Sequence, residues 1–167
     1  MAGPRSRARC YALLALYQWQ LGRQSAADIA QHFYDDPLWM DAVARGLAGC
    51  GEDQPIPTDQ RFDLSLFDQL LRGVTLQVDE IDATLKPFLD RSLTSVDPVE
   101  RAILRLGTFE LLHSPHIPSA VILDEAVDLA KAFGAEQGHR FINGVLDKLA
   151  QQRPDLVSRH GSLEHDG

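Results

Sequence analysis

TSVDPVERAILRLGTFELLH, residues 94–113, decides the fold class of this chain. Asp97 stands where an N-cap is needed, Pro98 follows at the first helical position, and Glu100 falls at N3. That order satisfies the orphaned amides of a helix start and pre-sets its first φ. Val99, Ile103, Leu106 and either Phe109 or Glu110 then recur at helical spacing. The spacing predicts a helix with Glu100, Arg101 and Arg105 facing outward, the two arginines forming a small positive strip at i,i+4.

The same period extends in both directions. Downstream, one helix is predicted from about Pro118 to Gly134, with Ile122, Ala126, Leu129 and Phe133 inward. A last helix runs from about Gln137 to Gln152 on Ile142, Val145, Leu146 and Leu149. Gly144 within it costs roughly 1 kcal/mol against Ala, and close helix contact is the expected reason. Upstream, a helix starts near Leu64 and continues or kinks into DEIDATLKPFL, residues 79–89. The first helix, Pro4 to Leu21, is apolar nearly all round and therefore expected at the centre of the fold. Ser25 caps a second helix through about Tyr34, and Pro37 starts a short third with Trp39, Val43 and Leu47. No stretch alternates as a strand does. The prediction is an all-α fold of six or seven helices in one domain, residues 1–152. Its parts are a helical half 1–48, a Gly-, Pro- and acid-rich loop 49–63, a second half 64–152, and a disordered polar tail 153–167.

The 167 residues carry a formal net charge of −8, which argues against a bulk nucleic-acid binder. The distribution argues otherwise. Arg5, Arg7, Arg9 and Arg23 give the first 27 residues +4 with no acid, leaving −12 on the remainder. Two readings are open: a local nucleic-acid patch, or a solvated terminus. Cys10 and Cys50 form no CxxC pair, so neither a zinc site nor a disulfide framework is visible, and a reducing compartment fits best. The arginine-rich start lacks a signal-peptide pattern, and no apolar run reaches membrane-spanning length.

Catalytic motifs are absent. There is no phosphate-binding Gly loop and no GxSxG. His113 and His116 are separated by Pro115, which breaks the helical geometry of a two-histidine metal site. Asp124, Glu125, Asp128 and Lys131 read as a solvated, partly paired helix face. One polar stretch is harder to set aside. In HRFINGVLDK, residues 139–148, Phe141 lies at the edge of the apolar stripe beside Arg140 and Asn143. Single-stranded RNA is bound by such surfaces, an aromatic for stacking with donors around it; a core phenylalanine with polar neighbours is the alternative.

Three stretches together resemble the NusB family of bacterial transcription antitermination factors. They are RSRARCYALLALYQWQL at the start, RAILRLGTFEL in the middle and ILDEAVDLAKAFGAEQGHRFINGVLDKLA near the end, within residues 4–150. The resemblance implies two small helical bundles, with the first helix beside the last. It implies binding of boxA RNA in ribosomal RNA leader transcripts, partnership with the ribosomal protein NusE and, through it, RNA polymerase and other Nus factors. It implies no enzymatic activity, no cofactor or metal, no membrane association, a cytoplasmic location and possible homodimers. The implied RNA-binding residues are Arg5, Arg7, Arg9, Tyr17, Arg140 and Phe141, and the implied partner-facing residues are Glu100, Arg101 and Arg105. Two departures stand out: Asp124 replaces a neutral Asn of many members, and Ser6 interrupts a more basic N-terminus. NusB-like domains also precede ribosomal RNA cytosine methyltransferases, but such an enzyme needs a further α/β domain with a catalytic Cys, for which no room is expected after the last helix. A helical adaptor that binds protein and not RNA is the remaining alternative.

Overall fold

The Asp97 cap forms as its sequence requires. Its carboxylate accepts from Val99 N at 2.9 Å and Glu100 N at 3.3 Å, and Pro98 opens the helix. The computed structural model describes residues 3–35, 62–134 and 137–154. Among these, seven α-helices are formed: α1 (Pro4–Leu21), α2 (Ala26–Asp35), α3 (Leu64–Leu76), α4 (Val78–Leu85), α5 (Pro98–His113), α6 (Ser119–Phe133) and α7 (Gly138–Gln151). Short 3₁₀ turns at Lys86–Phe88 and Leu93–Ser95 join α4 to α5. The expected short helix from Pro37 and the loop at 49–60 lie outside the described residues.

Local chemistry fixes the other starts. Ser25 Oγ accepts from Asp28 N at 3.1 Å ahead of α2. Asp63 accepts from Leu66 N at 2.9 Å ahead of α3, and its own amide donates to Pro4 O at 3.0 Å, joining the start of α3 to the start of α1. Arg153, assigned by sequence to the tail, belongs to the fold. Its guanidinium donates to Leu111 O at 3.1 Å, Ser114 O at 2.6 Å and Ser119 Oγ at 3.0 Å. Three directed donors on the α5–α6 connection are a clamp that polarity statistics do not reveal.

Helix α1 is buried without a break from Ala8 to Leu16, as its all-round apolar composition predicted. It packs on α2, α3 and α5, whereas α7 packs on α6 and α5. Helix α5 thus stands between the first and last helices, which corrects the expectation that those two lie side by side. Two glycines allow this packing. A Cβ on Gly107 would lie 2.7 Å from Leu146 Cδ1, and one on Gly73 would enter the ring of Phe109. Gly144 is different: nothing lies within 4 Å of where its Cβ would be. Close helix contact is therefore not its reason, because its side of α7 faces solvent.

Candidate nucleic-acid interface

Helices α1 and α5 run antiparallel. Arg9 meets Glu110 near one end, and at the other Gln20 Nε2 donates to Pro98 O at 2.9 Å. The three N-terminal arginines start at the first of these ends, and their burial rises along the helix: Arg5 is exposed, Arg7 half-buried, and Arg9 only 4% exposed. Arg9 Nε and Nη2 donate to the two carboxylate oxygens of Glu110 at 2.8 and 2.9 Å. Glu125 lies 3.8 Å from Arg9 Nη1 and accepts from Ser6 Oγ at 2.6 Å. The guanidinium is therefore engaged inside the protein, and Arg9 leaves the set of expected phosphate contacts. One turn beyond Arg5 the helix has entered the interior, where a charge must be paired. Arg5, His116, Ile117, Pro118, Val121 and Glu125 surround a surface groove of about 350 Å³.

The second cluster lies at the other end of α5. Phe141 is half-buried on α7, packed at the edge of the core. The Arg91 guanidinium sits over its ring, 4.9 Å from the centroid, within cation–π range. Arg91 Nε donates to Asp90 Oδ1 at 2.9 Å, and this bond holds the Asp90 carboxyl below its ordinary range. Arg140 is exposed beside Phe141, and Tyr17 is half-buried against the core on α1. Glu100 belongs to this cluster too. Its carboxylate packs so closely on Gly138, at the start of α7, that a Cβ there would overlap Oε1. Burial first, then the neighbouring Asp97, raises the Glu100 pKa, while Arg91 opposes the shift. Glu100 and Phe141, assigned by sequence to separate faces, thus share Arg91 as a neighbour. No sequence signal marked Arg91, because only the fold brings the α4–α5 connection under α7.

Arg105 does not face outward. It is paired with Asp82 through Nε at 2.9 Å and Nη2 at 2.8 Å, and its Nη1 donates to Gln20 Oε1 at 2.8 Å. This corrects the predicted positive strip: only Arg101 remains of it. Arg101 is half-buried, with Nε shielded and lacking a hydrogen-bond partner. It borders a cavity of about 560 Å³ that is also lined by Lys86, Leu89, Arg91 and Leu93.

His113 approaches Glu80 at 3.3 Å and packs on Phe109, while His116 is exposed in the following turn. Among the described residues no group of three or more His, Cys, Asp or Glu could hold a metal ion, and no helix is long and apolar enough to cross a membrane. Burial pushes the Cys10 thiol up to about 12, which removes the thiolate at neutral pH. Cys50 lies outside the described residues.

The NusB family profile matches residues 6–151. The transcription antitermination protein NusB of Nitrosococcus oceani is 45% identical over 152 residues, covering 91% of this chain and 88% of that protein. The one from Alkalilimnicola ehrlichii is 48% identical over 151 residues, covering 90% and 83%. Among solved structures, T. maritima NusB superposes with a TM-score of 0.63 at 27% identity, covering 91% and 94%. A crystal structure of antitermination factors NusB and NusE in complex with dsRNA gives 0.65 at 24% identity, covering 90% and 98%; at that identity the likeness concerns the fold.

Proposed function

The chain belongs to the NusB family, and on that premise we propose that it is a non-enzymatic, cytoplasmic antitermination factor that binds boxA RNA together with the ribosomal protein NusE. Residues 4–154 act as one RNA-binding domain in this reading. The observation that carries it is the Phe141 cluster: a half-buried phenyl ring at the edge of the core with the Arg91 guanidinium over it and the exposed Arg140 alongside. Stacking on aromatics and on guanidinium planes is how unpaired bases are held. Arg5 and Arg7 supply phosphate contacts at the far end of α1, about 18 and about 15 Å from Tyr17 along the helix at about 1.5 Å per residue.

The protein partner is read onto Glu100, Arg101 and the adjoining cavity. Asp82 and Asp90 on the cavity wall are paired with Arg105 and Arg91, which leaves Lys86 and Arg101 to offer positive charge beside Leu89 and Leu93, a lining that suits an acidic group carried on an apolar segment. Arg105 also lines that cavity, held there by its ion pair with Asp82. The test is fluorescence anisotropy with labelled boxA RNA, with and without NusE. Binding that is tighter with NusE and weakened by Phe141→Ala is expected. RNA affinity unchanged by Phe141→Ala in both settings would refute the assignment of this surface.

A further inference from the structure

Helix α1 begins without a counter-charge of its own. Gly3 at its N-cap makes no side-chain hydrogen bond, the first turn contains no acid, and Arg5 and Arg7 put cations beside the positive end of the helix dipole, where they work against the helix. The turn is anchored from outside instead. Asp63 N donates to Pro4 O at 3.0 Å, and Ser6 Oγ donates to Glu125 Oε1 at 2.6 Å. The same Oε1 lies 3.8 Å from Arg9 Nη1, on a guanidinium bonded through Nε and Nη2 to Glu110. A chain of polar contacts therefore runs from the buried Arg9–Glu110 pair out to the half-buried Ser6. Glu125 is a firm anchor, because the neighbouring Ile122, Ala126 and Leu129 bury its stretch of α6. At about 100° per residue, Ser6 lies between Arg5 and Arg7 round α1, so its bond fixes the direction of both.

We propose that Ser6 and Glu125 are positioning residues for RNA binding, which hold the first turn of α1 so that Arg5 and Arg7 meet phosphates in one orientation. The proposal rests on the reading of Arg5 and Arg7 as phosphate contacts and extends it to two residues that act through them. Ser6, in sequence only a gap in a basic run, gives up a charge and gains a fixed turn. Arginines on a frayed turn still attract phosphate, but binding must then order the backbone as well as the side chains. The Glu125 carboxylate supplies the negative group that the first turn lacks. It also borders the groove beside Arg5, where a negative charge by itself opposes RNA. Positioning and plain charge therefore predict opposite signs for its removal.

The experiment uses the full chain with NusE and a labelled single-stranded boxA RNA. Ser6→Ala and Glu125→Ala are each made in the wild-type chain and in the Arg5→Ala, Arg7→Ala background, and affinity is measured across a salt series. In the wild-type chain both should weaken binding roughly three- to ten-fold, the scale of one ordering hydrogen bond, Glu125→Ala doing so although it removes a negative charge. The slope of log K against log salt should stay unchanged, because Arg5 and Arg7 keep their charges. In the background without the two arginines, neither substitution should weaken binding further, a non-additivity that a general loss of stability would not produce. Amide exchange at Arg7, whose N–H donates to Gly3 O at 3.0 Å, should quicken in both variants. Equal losses in the two backgrounds assign the pair to stability alone and overturn the proposal. Unchanged or tighter binding in Ser6→Ala and Glu125→Ala, with the double arginine variant impaired, overturns the positioning role and leaves the phosphate contacts standing. Wild-type affinity in the double arginine variant overturns both.

Discussion

Replacing Arg9 by Ala should unfold much of this protein's stability margin without touching its electrostatic attraction to RNA. Both partners of the Arg9–Glu110 pair are buried, at 4% and 3% exposure, and joined by two bonds of 2.8 and 2.9 Å. Removing the guanidinium strands the Glu110 carboxylate in the interior without its two hydrogen bonds, with the more distant charge of Arg153 left to act on it. Glu125 keeps its hydrogen bond from Ser6 and is partly hydrated, so it suffers less. Breaking a buried pair from one side costs about 3–5 kcal/mol. Against a total of about 5–15 kcal/mol for a domain, that is a large fraction. Urea melts should show the loss as a lower midpoint at unchanged m, and thermal melts as a fall of roughly 10 °C. The double variant Arg9→Met with Glu110→Leu removes both charges and retains volume, so it should recover most of the loss, since buried pairs exchange for apolar residues at little cost. A double-mutant cycle over the two positions then gives a coupling of several kcal/mol. An Arg9→Ala protein that melts within about 1 kcal/mol of wild type, the range of an exposed pair, would refute the reasoning. If it also lost salt-dependent RNA affinity, Arg9 would return to the RNA surface.

Arg5→Ala with Arg7→Ala should flatten the slope of log K against log salt by about 1.4, at about 0.7 per phosphate contact on single strands; adding Arg9→Met with Glu110→Leu should flatten it no further, and a drop of about two units would count Arg9 among the phosphate contacts. Gly73→Ala should destabilise by about 1–3 kcal/mol in denaturant melts, because a Cβ there enters the buried Phe109 ring and overpacking outweighs the gain in helix propensity; an unchanged midpoint would show that the ring yields freely. Glu100 has a pKa raised by burial, so the folded state binds its proton more tightly than the unfolded chain, and this group's contribution to stability falls as pH rises through its folded pKa. Glu100→Gln should therefore be slightly more stable than wild type at pH 7, with the advantage vanishing as pH falls below the ordinary carboxylate range of about 4.5; an advantage that grows on acidification would contradict the sign.

The helices were legible because their signals are local. Asp97-Pro98, Ser25 and Asp63 cap helices with atoms two or three residues away, and the apolar period of α1, α6 and α7 needs no knowledge of neighbours. The aromatic–arginine character of residues 139–148 was legible for the same reason. The fate of each charge was not. Arg5, Arg7 and Arg9 read alike in sequence, but burial by α5 and α6 places only Arg9 opposite Glu110, across a separation that no periodicity links. Arg105 likewise looked solvated until Asp82 and Gln20 closed on it, and Arg91 gained meaning only when the α4–α5 connection brought it over Phe141. Gly144 and Gly107 are the same residue on two helices, one open and one filled by Leu146. Backbone capping and amphipathic period are short-range free energies, fixed by residues within a turn of one another. Whether a charge is hydrated or paired, and whether a glycine is a contact or a vacancy, depends on desolvation by distant elements, and that is decided only by the tertiary packing.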